Sequence, residues 1–123
     1  MKVVMLFKRK PGITFEQFRE HYEKSHAPLA ARLLPYFKSY TRNFVRHDMS
    51  YKSSTLGGEI NFDVVTELTF ESKEDYDRMT KALTDPAVYN QIVQDEEQFM
   101  DRSPGGRLFF FVDEEKTPQS MLR

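Results

Sequence analysis

Cysteine is absent from the 123-residue chain, and with it disulfides, thiolate nucleophiles and Cys-based metal sites. A reducing cytoplasm fits that absence and is the expected location. No run approaches the roughly 18 apolar residues of a helical span, so no membrane partner is expected. The N-terminal MKVVMLFKRK regains charge too quickly for a signal peptide and reads as a strand. Neither charge sign is in excess, with 18 basic against 19 acidic residues. That argues against a nucleic-acid partner, because displacing counterions needs a basic face. Lys8-Arg9-Lys10 is a local exception and reads as a solvated strand end. Gly57-Gly58 and Gly105-Gly106 lack the surroundings of a phosphate loop, and no Gly-x-Ser-x-Gly is present. His21, His26 and His47 show neither His-x-x-x-His nor His-x-His spacing, so no metal site is expected. Tryptophan is missing too, yet 11 Phe and 6 Tyr remain, enough for a large core, an apolar pocket or a subunit interface. At 39% hydrophobic and 30% charged, the composition is that of one globular domain rather than a disordered chain.

Residues 1–113 carry the regular patterns, and 114–123 form a polar tail expected to fray. Val3 to Lys8 reads as a mostly buried strand, followed by a Pro11-Gly12 turn. Thr14 with Gln17 is a capping box opening a helix, and Phe15, Phe18, Tyr22 and His26 share one face of it. Pro28 disfavours helical backbone at Ala27 and lacks an N–H, so the helix is expected to end or kink there. His26 would then sit at a helix C-terminus, whose partial negative charge favours a protonated ring. Leu29 to Leu34 can add a further turn or two before Pro35. Ser39 to His47 is a second strand, and the polar residues 48–61 form a loop with lid-like length. Phe62 to Phe70 alternates cleanly, setting Asp63 and Glu67 on the face opposite Phe62, Val64, Thr66 and Leu68. Ser72 and Asp85-Pro86 open two more helices, and Arg107 to Asp113 is a last, strongly apolar strand.

The order β-α-β-β-α-β is the ferredoxin-like pattern: an α+β fold with a four-stranded antiparallel sheet and helices on one face. The other sheet face retains Phe, Val, Tyr and Leu side chains and needs covering. Two such sheets packed face to face, helices outside, would form a homodimer.

With these residues placed, the chain resembles the EthD family of dimeric α+β barrel proteins. The resemblance lies in KRKPGITFEQFREHYEKSHAPLA (Lys8 to Ala30), SYTRNF, DEEQFMD (Asp95 to Asp101) and FFFVDEE (Phe109 to Glu115). It implies a small, cofactor-independent dimer with a pocket between sheet and helices. It also implies a small carbonyl, aromatic or polyketide substrate, with dehydration or isomerisation ahead of oxygenation. A non-catalytic ligand-binding accessory dimer beside an oxidising enzyme is the alternative, and a pocketless structural dimer is a third.

Within that frame His26 is the candidate general acid/base, because imidazole is the side chain whose ordinary range spans neutral pH. A structural histidine capping the helix end answers the same pattern. Asp95 and Glu96 are its candidate carboxylate partners, since Glu96 interrupts an apolar helix face and a buried carboxylate needs a donor. A solvated acidic run, Asp95-Glu96-Glu97, is the competing reading. Arg42, Asn43 and Asp63 are candidates for binding a substrate oxygen; cross-strand ion pairing of Asp63 or Glu67 with Arg42 or Arg46 is the competing reading. Tyr22 and Tyr40 are candidate donors to a substrate carbonyl, or else core residues.

Overall fold

Period-two alternation builds the sheet, and local capping chemistry starts each helix laid on it. The computed structural model describes residues 1–49 and 60–116. Its strands are β1 (Lys2–Phe7), β2 (Ser39–Phe44), β3 (Val64–Thr69) and β4 (Arg107–Val112). They pair antiparallel in the order β2-β3-β1-β4, the ferredoxin-like arrangement expected from the element order. The first helical run comprises α1 (Phe15–His21), a π-helical turn (Tyr22–His26) and α2 (Ala27–Leu33). The second comprises α3 (Lys73–Ala82) and α4 (Pro86–Phe99). Most of the residues expected to form a loop between β2 and β3 lie outside the described residues, as does most of the expected C-terminal tail.

The caps follow the sequence. Thr14 Oγ1 accepts from the Gln17 N–H while Gln17 Oε1 accepts from the Thr14 N–H. Ser72 and Asp85 cap α3 and α4, and Pro86 occupies the first turn of α4, where its missing N–H matters least. Gly12 adopts φ +92°, a left-handed conformation that closes the turn after β1 without a Cβ clash.

Two buried clusters fill the space between sheet and helices. One gathers Val3, Ala30, Leu34, Leu68, Phe70, Met79 and Ile92. The other gathers Phe7, Phe18, Tyr22, Ala27, Val64, Phe99 and Met100. Met5 and Tyr40 touch both, so they mark the seam. Phe18 and Phe99 are fully buried; burial of such a side chain contributes about 1.5–3 kcal/mol.

The helix does not end at Ala27-Pro28; the irregularity there is a widened turn. Ala27 is right-handed helical (φ −62°, ψ −44°) and the chain stays helical to Leu33. The Ala27 N–H reaches back to the Tyr22 carbonyl, an i to i−5 bond, which widens one turn. Pro28 falls in the first turn of α2, where it interrupts no α-helical ladder. His26 therefore lies inside a helical run, and the C-terminal charge argument does not apply to it.

Strand register divides the sheet faces. Val3, Met5, Phe7, Phe109 and Phe111 share the helix side. Val4, Leu6, Leu108 and Phe110 share the outer side. Towards β2 and β3 the outer side turns polar, with Thr41 and Asn43 opposite Glu67 and Val65. On β4 both sides are at least half exposed, Phe109 and Phe111 towards the helices and Leu108 and Phe110 on the outer side, so the outer side is apolar and uncovered along β4.

Candidate active site

The π-turn and the C-terminal end of α4 are brought together by the chain beyond them. Lys10 N–H donates to the Phe99 carbonyl and Asp101 N–H to the Lys8 carbonyl, joining the end of α4 to the segment after β1. This holds Asp95 and Glu96 against the π-turn. Carboxylates in the last turn of a helix face the negative end of its dipole, so they need cations or donors.

Asp95 receives three. His26 Nδ1 lies 2.9 Å from its Oδ2, Ser25 Oγ donates to Oδ1 at 2.7 Å, and His21 Nε2 lies 3.1 Å from Oδ1. Burial pushes the Asp95 carboxyl up, but the hydrogen bonds from Ser25 and His26 and the nearness of His21 outweigh it, leaving the group below its ordinary value. An ionised Asp95 only accepts, so Nδ1 of His26 carries the proton and Nε2 faces the other way. On that side, Glu96 Oε2 stands 3.9 Å from Nε2. His26 is buried, and its ring packs edge-on to Tyr22 and against Phe99.

His21 was not among the candidates, because α-helical spacing puts it off the face of Phe15, Phe18 and Tyr22. The wider π-turn that follows it sets His26, five residues on, nearly beneath it, so both reach Asp95, and the His21 ring stacks on Phe99 with centroids 4.7 Å apart. A single proline two residues beyond His26 was the only sequence signal of irregular helix there.

A pocket of about 490 Å³ opens beside His26, between helices and sheet. It is within the usual range for small-molecule sites. Tyr22, Tyr40, His26 and Glu96 line it, with Phe109 and Phe111 at the exposed β4 edge. Tyr40 Oη donates to Tyr22 Oη at 3.0 Å, and Tyr22 in turn shares a hydrogen bond with Thr66 Oγ1 at 2.8 Å. Burial pushes the Tyr22 phenol up to about 12. Burial, followed by the adjacent Tyr22, raises Tyr40 as well. Both phenols stay protonated through the neutral range and form a short hydroxyl chain.

Glu96 is held by Arg102 Nε at 3.0 Å and faces Arg107 Nη1 at 3.6 Å. Both arginines line the pocket. Neither was named from the sequence, since each reaches Glu96 only through the folded approach of α4 and β4. Glu97 is exposed, so the acidic run divides: two members turn inward and one faces out.

The remaining candidates lie elsewhere. Arg42 is on the helix side of β2 and clamps Glu23 with two bonds, its guanidinium over the Tyr40 ring at 4.7 Å. Asn43 is on the outer sheet face, donating to the Val65 carbonyl and to Glu67. Asp63 precedes β3 instead of sharing a strand face with Glu67; it is buried, accepting from the Arg9 N–H and pairing with His47. None of the three lines the pocket. The expected cross-strand ion pairs of Asp63 or Glu67 with Arg42 or Arg46 do not form: Glu67 pairs with Lys2 and Arg46 with Asp48. Among the described residues no three His, Asp or Glu side chains are grouped to hold a metal ion, and no helix is long and apolar enough to cross a membrane.

A family model described as the EthD domain matches residues 10–103. A protein of Metarhizium robertsii named conidial pigment biosynthesis dehydratase EthD is 28% identical over 107 residues, covering 77% of this chain and 70% of the fungal protein. An ethyl tert-butyl ether D (EthD) family protein from Bacillus halodurans superposes with TM-score 0.58 at 18% identity, covering 93% of this chain and 97% of that one. A ferredoxin-like protein from Bacteroides fragilis, described as dimeric, superposes with TM-score 0.54 at 9% identity, covering 89% and 90%. At such identities the structural likenesses establish the fold.

Proposed function

The chain belongs to the EthD domain family, and on that premise we propose that it is a cofactor-independent dehydratase-type enzyme acting on a small carbonyl or aromatic compound. The observation that carries this reading is His26, fixed through Nδ1 on Asp95 with Nε2 towards a pocket lined by phenols. In dehydration, Nε2 takes a proton from the carbon beside the ligand's carbonyl. The hydroxyl on the next carbon leaves as water, taking the proton back from the imidazolium. One C–H and one C–O bond break, one C=C bond forms, and His26 ends as it began. Asp95 orients the ring and balances its transient charge. The Tyr40 hydroxyl, whose proton rests on Tyr22 in the free protein, would turn from it to donate to the ligand's oxygen. The fungal relative named as a dehydratase supports this reaction class.

The test is a panel of cyclic β-hydroxyketones followed by the absorbance of the product enone. His26→Gln should abolish turnover while leaving the circular dichroism spectrum unchanged; retained turnover would overturn the assignment. The ring's burial also favours a second reading, a ligand carrier without turnover. Tight binding of panel compounds by the wild type and by His26→Gln alike, with no product from either, would select it.

The working unit proposed is a homodimer, with the apolar outer side along β4, around Leu108 and Phe110 next to the partly exposed Leu6, covered by a second copy. The Bacteroides fragilis neighbour described as dimeric supports this. Leu108→Ser with Phe110→Ser should give a monomer in analytical ultracentrifugation; a wild-type monomer would refute the proposal.

A further inference from the structure

Arg102 and Arg107 come from either side of a tight turn, Pro104–Gly106, and converge on one carboxylate oxygen. The convergence depends on Gly106: a Cβ there would lie 2.4 Å from the Asp101 carbonyl oxygen. Arginine stays charged at any pH a protein survives. The pocket wall therefore carries two guanidinium charges, Arg102 and Arg107, against the single carboxylate of Glu96. Asp95 does not line the pocket, because its oxygens are engaged behind the His26 ring. Arg102 bonds Glu96 through Nε alone, and Arg107 approaches it at 3.6 Å, outside hydrogen-bonding distance. Among the described residues neither guanidinium meets another carboxylate. Both forks thus keep, among the described residues, terminal N–H donors without a protein partner, half-buried beside apolar walls. With one carboxylate shared between two guanidinium groups and only part of each side chain open to water, a further anionic group at this wall finds donors ready to receive it. The Phe109 ring, 5.8 Å beneath Arg107, adds a flat aromatic surface next to that charge.

We propose that Arg102 and Arg107 select aromatic ligands bearing an anionic oxygen, an ionised enol or phenol, and hold it within the pocket that His26 faces. The inference deepens the reading of this pocket as a ligand site and rests on it. It also gives the arginines a role in the reaction: the same positive surplus stabilises an enolate formed when Nε2 removes a proton.

The experiment measures binding and needs no turnover. Lawsone, a hydroxynaphthoquinone ionised at neutral pH, is titrated calorimetrically against its neutral methyl ether. The cysteine-free chain has no thiol to add to either quinone. The proposal expects lawsone to bind about tenfold or more tightly than the ether, the worth of one charge-assisted hydrogen bond. Arg102→Met and Arg107→Met should each erase most of that preference and change ether binding by less than about twofold. Thermal melting checks folding of the variants, and Arg102→Lys and Arg107→Lys, which keep the charge without the fork, stand in if a methionine variant does not fold. Glu96→Gln should raise the lawsone preference, because it removes the competing carboxylate. Equal affinities for the two quinones, or a preference untouched by the arginine and Glu96 variants, would overturn this inference and leave the pocket standing. Failure of both quinones to bind would overturn the pocket reading and this inference with it.

Discussion

The chain carries two histidine–aspartate pairs with the same 2.9 Å separation, His26–Asp95 and His47–Asp63, in very different surroundings. Asp63 is a stitch. Its second oxygen takes the Arg9 N–H at 2.7 Å, tying the chain before β3 to the end of β1. Its histidine has a side chain 37% exposed, lying at a wide surface hollow of about 760 Å³ lined by side chains such as Lys8, Arg19 and Arg46. Asp95 instead gathers donors from a single helical run and presents one of them, a ring 7% exposed, to an apolar pocket. A His–Asp distance is therefore no signature of a site by itself. What separates the pairs is whether the imidazole lines a mostly apolar, phenol-lined pocket with its own charge pattern. The hollow at His47 is larger, yet more open and lined by many charged side chains beside Phe15, Val45 and Ile60, and among the described residues no hydroxyl chain like Tyr40–Tyr22–Thr66 borders it.

The sharpest way to break that comparison is to truncate each imidazole. His26→Gln is expected to lower turnover by about three orders of magnitude, within the range for loss of a general acid/base. His47→Gln should leave turnover within about twofold. Equal losses in steady-state assays would erase the distinction. The aspartates come next. Asp95→Asn removes one of two acceptor oxygens serving three donors, and should cost about 2 kcal/mol in urea unfolding. Asp63→Asn can keep the Arg9 N–H on its remaining oxygen and should cost about 1 kcal/mol. A reversal of that order would show Asp63 to be the more deeply committed group.

Acid is a gentler probe. The Asp95 carboxyl is held below its ordinary value, so its contribution to stability is fully present above the ordinary carboxylate range and is lost as pH falls through the lowered value. The urea midpoint of the wild type should decline between about pH 5 and about pH 3, and Asp95→Asn should flatten part of that slope. An unchanged slope would remove Asp95 as a source of acid sensitivity. The smallest effect is expected at Arg42, whose two-bond clamp on Glu23 is partly exposed; Arg42→Met should cost under about 1 kcal/mol by thermal unfolding and leave turnover unchanged.

Much of the fold was legible because period and capping are local. The alternation in Val64 to Thr69 marked β3, and Thr14-Gln17, Ser72 and Asp85-Pro86 marked helix starts at the residues where they occur. The candidate pairing of His26 with Asp95 followed from a carboxylate near an apolar helix face needing a donor. What could not be read was non-local or irregular. Arg102 and Arg107 look like solvated charges until a turn folds them onto Glu96. Arg42, Asn43 and Asp63 were placed by strand alternation, but β2 stops at Phe44 and β3 starts only at Val64, so Asp63 escapes the alternation altogether. His21 joined the cluster through a helical pitch that no propensity predicts.

That pitch can be put as a count. Along the first helical run the inward positions are Phe18, Tyr22, His26, Ala27, Ala30 and Leu34. A uniform α-helix turns neighbouring residues by about 100°, so its inward stripe advances by three and four; here the Ala27 N–H bonds back five residues to Tyr22, and His26 and Ala27 are both buried. From Tyr22 to Ala27 the step is five, and before and after it the steps return to three and four. The run behaves as an ordinary amphipathic helix with one residue inserted: the downstream stripe, Ala27, Ala30 and Leu34, is carried one place later, and a histidine occupies the slip. Deleting one residue between Glu23 and Ser25 would restore even spacing and a well-formed core helix, at the expense of the single inward position where that histidine stands.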